Sequence, residues 1–122
     1  MLKNFKELKV WEKSYQLSLS IYKITTEFPN DEKFGLTSQV RRAAVSIPSN
    51  IAEGYGRRTR ADYIKFLHIA YGSCCELETQ MLISIDLNYI NNKKGTVIMD
   101  KIKEVERMLK SLITSLEKPS NP

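Results

Sequence analysis

Pro48 interrupts the most helical stretch of this 122-residue chain, and that conflict constrains the fold more than any other feature. Leu36, Val40, Ala43, Ala44, Ile47, Ile51 and Tyr55 recur on one face at the helical period of ~100° per residue. Proline has no N–H for the carbonyl four residues back, and its ring crowds that carbonyl. A helix through this stretch is therefore expected to kink between Ala44 and Ile47. Small or polar residues, Ser46, Ser49, Asn50 and Glu53, crowd the same run. Propensity alone does not hold such a helix, so its neighbours must.

The flanking sequence supplies three such neighbours. Asn4 caps a first helix, with Glu7 answering three residues later. Two apolar stripes run along it: Leu8, Trp11, Tyr15, Leu19 and Tyr22 form one, and Val10, Leu17, Ile21, Ile24 and Phe28 the other. A surface helix of a lone bundle needs a single stripe. Either this helix is deeply buried in its own fold, or a second subunit covers one side. Phe28-Pro29-Asn30 ends the helix, because a residue before proline avoids the α region.

Gly54 and Gly56 offer left-handed positions to stop the second helix. Thr59 caps the third, with Asp62 completing a capping box. That helix runs to about Leu87 on a core face that includes Leu67, Ala70, Cys74, Leu77, Met81 and Leu82. Asn88 closes it, and Asn91 opens a fourth helix that buries Ile98, Ile102, Val105, Leu109 and Ile113. No strand alternation, repeat or linker is present. The expected fold is all-α: an antiparallel up-down-up-down four-helix bundle with a Pro-kinked second helix. It forms a single domain over 1–122, with a frayed tail from about residue 118.

The chemistry-bearing residues are few. A single histidine, His68, and adjacent Cys74 and Cys75 make neither a zinc set nor a Glu-x-x-His di-metal pattern. Both cysteines are expected to serve as buried small hydrophobes. No metal, cofactor or catalytic residue is read, and no enzyme. The N-terminus lacks the apolar core of a signal peptide, no run approaches the ~20 residues of a membrane span, and the cysteines form no obvious pair, so the cytoplasm is expected. Glu78 falls within the apolar arc of the third helix, where a lone carboxylate is costly. Arg41 or Arg42 is its expected partner, and Glu53 belongs to the same class of structural ion pairs. Gly72, inside a helix, suggests close approach of another backbone. The formal charge is +5, and Arg57, Arg58, Arg60 and Lys65 gather at the turn between the second and third helices. Arginines beside free N–H groups at a helix start suit phosphate. Lys3, Lys6, Lys9 and Lys13 line the start of the first helix.

The motif RRAAVSIPSNIAEGYGR from Arg41, followed by IAYGSCCELETQ from Ile69, resembles the four-helix-bundle proteins encoded in intervening sequences of bacterial 23S rRNA genes. FKELKVWEKS and FPNDEKFGLTSQ match as well. The same fold family includes accessory variability proteins of diversity-generating retroelements. The resemblance implies assembly as homopentamers around a central channel. It favours the two-subunit reading of the first helix, with Val10, Leu17, Ile21 and Ile24 as interface. The expected function is a non-enzymatic homo-oligomer presenting basic surface to RNA or DNA with little sequence preference. The alternative is an interaction scaffold that docks a partner enzyme such as a reverse transcriptase. No membrane partner is expected.

Overall fold

Pro48 lies buried inside a single helix, α2 (Leu36–Tyr55), of an all-α, four-helix bundle. The computed structural model describes residues 2–119. Around α2 stand α1 (Lys9–Ile24), α3 (Arg60–Asp86) and α4 (Asn92–Glu117), and short 3₁₀ turns flank α1 and precede α2. The end of the tail expected to fray, Ser120 to Pro122, lies outside the described residues. Each helix packs on the next, and α1 packs on α4, closing the bundle. Leu17, Ile21, Ile47, Ile51, Leu67, Leu77, Met81, Ile102 and Leu109 fill the centre, all fully buried.

The caps explain most boundaries. Asn4 caps only the 3₁₀ turn Phe5–Glu7, its Oδ1 accepting from the Lys6 N–H at 2.9 Å, so the α-helix starts later, at Lys9. Thr59 Oγ1 accepts from the Asp62 N–H at 3.1 Å and Asn91 Oδ1 from the Lys94 N–H at 2.8 Å, as expected of caps. Glu32 caps α2 from a distance: its carboxylate accepts from the Leu36 N–H at 3.0 Å and from the Tyr89 hydroxyl at 2.8 Å. Those two bonds hold Glu32 below the ordinary carboxylate range. Phe28 is extended before Pro29, at φ −69° and ψ 151°.

Helix ends depart from expectation at glycine. Neither Gly54 nor Gly56 is left-handed; Gly56 stays in the α region at φ −80°. The left-handed residue is Asn88, at φ 63°, beyond the end of α3. Its N–H reaches the Ile85 carbonyl at 3.0 Å and that of Tyr89 reaches Ser84 at 2.9 Å, the paired bonds of a Schellman cap. A Cβ added at Gly72 would meet nothing within 4 Å beyond its own helix, contrary to the close approach expected there. The close approaches occur instead at Gly54, against Phe66 and Tyr63 of α3, and at Gly95, against Ile85. Leu82, expected in the core, is 48% exposed, while Gln80 and Ser84 are buried, so the core face of α3 is rotated slightly from the apolar pattern.

Candidate functional site

The α2–α3 turn places the expected basic residues close together but gives them different roles. Arg57 is already engaged: its Nη2 lies 2.9 Å from Glu53 Oε2, and its guanidinium stacks 4.7 Å from the Phe66 ring centre. Glu53 is thus in an ion pair, one turn along its own chain and exposed. Such a pair contributes about 0.3–0.5 kcal/mol. Arg58, Arg60 and Lys65 are exposed, and none is within ion-pair distance of an acid among the described residues. Arg60 begins α3, where the helix dipole already presents positive partial charge. A cation there is unfavourable for the helix and favourable for an anion.

Glu78 does not meet an arginine. Its Oε2 accepts from Lys103 Nζ of α4 at 3.0 Å, and the carboxyl of Glu106, also of α4, is its titrating neighbour. Arg41 is engaged elsewhere, at the end of α1, with Nε 2.8 Å from Thr25 Oγ1 and Nη2 3.3 Å from the Tyr22 carbonyl. There it serves the C-terminal carbonyls and their negative partial charge. Arg42 is exposed and reaches no acid among the described residues. The expected pairing fails because Glu78 faces α4 rather than α2.

Two neighbouring carboxyls cannot both ionise easily. Burial, reinforced by Glu78, raises Glu106 to about 7, while Glu106 and Lys103 lower Glu78. Glu106 therefore keeps its proton at acid pH where Glu78 is already ionised, and gives it up at about pH 7. The enclosed Oε2 of Glu106 has no hydrogen-bond partner among the described residues, which adds to the cost of ionising it. Unfolding returns Glu106 to about 4.5, so between 4.5 and 7 only the folded chain holds this proton. Stability should therefore fall as pH rises through that window, with the loss complete above about pH 7. Glu78 has the opposite sign, losing its contribution only as pH falls below the ordinary carboxylate range. Glu106→Gln cannot ionise. It should gain about 1 kcal/mol over wild type near pH 8, after discounting for solvent screening, and flatten the slope between about pH 5 and pH 7. Urea denaturation across that range reads both, and parallel profiles for the two proteins would show that Glu106 does not hold this proton.

The profile of the family described as "23S rRNA-intervening sequence protein" matches residues 6–111, nearly the whole bundle. The chain belongs to this family. A crystal structure at 1.70 Å of a protein with unknown function, from the S23 ribosomal protein family of Bacteroides thetaiotaomicron VPI-5482, is similar. It is 29% identical, covers 85% of this chain and 97% of its own, and superposes with a TM-score of 0.78. No curated protein matches.

In this member of the 23S rRNA-intervening sequence protein family, the α1 stripe expected to meet a second subunit is the one that faces inward. Val10, Leu17, Ile21 and Ile24 are 5%, 1%, 0% and 8% exposed, buried within their own bundle, and cannot form an interface. The outer stripe is the open one, with Tyr15, Leu19 and Tyr22 each 43–50% exposed. With Trp11 it borders an apolar groove whose other wall is Val45, Pro48 and Ala52 of α2. Periodicity identifies two stripes but not which one faces inward.

The remaining candidates are the cysteines and His68. Burial pushes the Cys74 thiol far above its ordinary value. Cys75, expected to be buried, is exposed, yet partial desolvation and then the carboxyls of Glu106 and Glu78 raise its thiol too. Neither matches an activated nucleophile. His68 Nε2 faces Glu117 Oε2 at 3.6 Å on the surface. No group of three or more His, Cys, Asp or Glu side chains is arranged to hold a metal among the described residues, and no helix there is long and apolar enough to cross a membrane. Glu106 is the residue that sequence reasoning misses. Its signal is phase: it stands seven residues from both Met99 and Ile113, which pack in the core.

Proposed function

We propose that this chain is a non-enzymatic, cytoplasmic homo-oligomer that holds RNA or DNA by its phosphate backbone at the α2–α3 turn. One observation carries the reading: Arg58, Arg60 and Lys65 stand exposed and, among the described residues, unpaired beside the start of a long helix, while Arg57 is clamped by Glu53 and Phe66. Side chains without an acidic partner offer their full charge to a phosphate. Contacts of this kind carry no sequence information, so recognition is tolerant.

The cross-helix pairs support the finer topology. Ser20, Lys13 and Glu27 of the α1 region meet Lys101, Glu104 and Lys94, and Ser46 meets Ser73, partners that run in opposite chain directions. They favour an up-down-up-down course with antiparallel neighbours, while the bend at Pro48 rests on the chemistry of proline alone. The exposed groove of Trp11, Tyr15, Leu19, Tyr22 and Val45 supports assembly through the outer stripe of α1, into a ring of five on the resemblance. The same groove favours the second reading, a scaffold that docks a partner protein there without touching nucleic acid.

Salt separates the two, because phosphate contacts weaken steeply with ionic strength and apolar docking does not. Wild-type protein should bind a 20-base-pair duplex at low salt, with log affinity falling linearly in log salt. Changing Arg58, Arg60 and Lys65 to alanine should reduce that slope by about 0.9 for each phosphate no longer neutralised. Arg57 is left in place so that Glu53 and Phe66 keep their partner. Absence of wild-type binding to either an RNA or a DNA duplex would hand the function to the scaffold reading.

A further inference from the structure

We propose that the phosphate-binding surface is not confined to the α2–α3 turn but is one whole end of the bundle, and that its ligand is an extended nucleic acid rather than a nucleotide. This inference rests on the nucleic-acid reading above and specifies where and what that surface binds. The folded chain brings three segments distant in sequence to the same end. The Tyr55 hydroxyl donates to the Leu2 carbonyl at 3.4 Å, tying the N-terminal segment to the end of α2. His68 faces Glu117 at 3.6 Å, tying the start of α3 to the last turn of α4. Lys9 lines one shallow groove with Arg107, Ser111 and Ser115, and the adjoining groove is lined by Arg107, Lys110, Thr114 and Lys118.

Lys3, Lys6 and Lys9 therefore stand at the end that also carries Arg58 and Arg60, with Arg107, Lys110 and Lys118 completing it. Three of the acids there are engaged, Glu53 with Arg57, Glu117 with His68 and Glu7 with the Lys3 N–H at 3.3 Å, which leaves the exposed Asp62 in the first turn of α3 as a local counter-charge that the cations outnumber. Away from this end, several cations are held internally: Lys13 by Glu104, Lys103 by Glu78, Lys94 by Glu27, and Arg41 by the end of α1. The formal charge of +5 thus understates the field at one end. Ser111, Thr114 and Ser115 interleave with the α4 cations and offer neutral donors of the kind that hold phosphate oxygens. No enclosed cavity among the described residues gathers these cations around one phosphate; they line open grooves across three segments. A single nucleotide reaches only one of them, whereas a duplex backbone tracks across all.

The test uses the full chain, a 20-base-pair RNA duplex and the matching DNA duplex, with affinity measured against salt by fluorescence anisotropy. Lys110→Ala with Lys118→Ala should lower the slope by about 0.9 per phosphate released, as the turn variant does, while Lys33→Ala with Lys93→Ala at the other end should not. A mononucleotide at the same phosphate concentration should not compete. If the turn variant flattens the slope and the α4 variant does not, the extended surface is wrong and the turn reading stands. An equal loss from the Lys33/Lys93 pair would show binding by net charge alone and overturn the inference. Displacement by polyglutamate as effective as by RNA would overturn it in favour of an acidic protein. If wild type binds neither duplex, both the inference and the reading beneath it fall.

Discussion

Gly54→Val lowers the stability of the bundle by about 3 kcal/mol, because the added side chain has no room between α2 and α3. A single Cβ at Gly54 would already sit 2.8 Å from the Phe66 Cβ, 3.1 Å from the Tyr63 Cδ1 and 3.2 Å from the Tyr63 carbonyl oxygen. The last of these is backbone and moves only if α3 moves. Gly95 is the internal control. Its Cβ would meet Ile85 Cδ1 at 2.7 Å and Cγ1 at 2.8 Å, which a change of rotamer can clear, and no backbone atom stands in the way. Alanine there also gains about 1 kcal/mol of helix propensity over glycine, so Gly95→Ala should be close to neutral. Chemical denaturation of the two variants reads the contrast. A Gly54→Val protein as stable as Gly95→Ala would mean that α2 and α3 do not owe their close approach to this residue.

The helices are legible in the sequence wherever a local rule governs them. Thr59, Asn91 and the pre-proline Phe28 each act on their own neighbours, and each does what its chemistry predicts. The errors arise where two helices meet. Gly54 looks like a helix terminator because its sequence neighbours are all a terminator involves, whereas its role is set by Tyr63 and Phe66 of α3. The α1 stripes are visible, yet which one turns inward depends on how α2 and α4 lie against them. Glu78 plainly needs a partner, but its position on the α4 side of α3 is a matter of a few tens of degrees of helix phase. That rotation replaces an expected arginine with Lys103 and a second carboxyl. At the basic turn the cluster itself is legible. What sequence does not show is that Glu53 and Phe66 take Arg57 out of it, or that the fold brings the α4 cations to the same end.

Ser18→Ala should cost about 1–3 kcal/mol, and most of that cost should vanish when Pro48 is replaced as well. The reason returns to the residue that conflicts with its own helix. Pro48 has no N–H, so the Ala44 carbonyl four residues back loses its helical donor, and Ala44 is fully buried, beyond the reach of water. The structure supplies a donor from another helix: Ser18 of α1, itself 7% exposed, places its hydroxyl 2.9 Å from the Ala44 oxygen. Its alternative acceptor, the Ser14 carbonyl at 3.1 Å, belongs to its own helix. The neighbours that hold α2 therefore include a specific hydrogen bond as well as apolar packing. In a Pro48→Ala background the restored N–H satisfies Ala44 from within α2, and removing the Ser18 hydroxyl should then cost less than about 1 kcal/mol. A double-mutant cycle on these two positions should yield a coupling of about 1–2 kcal/mol, well above the ~0.5 kcal/mol expected of independent sites. Equal costs for Ser18→Ala in both backgrounds would show that the hydroxyl does not serve the carbonyl that proline leaves bare.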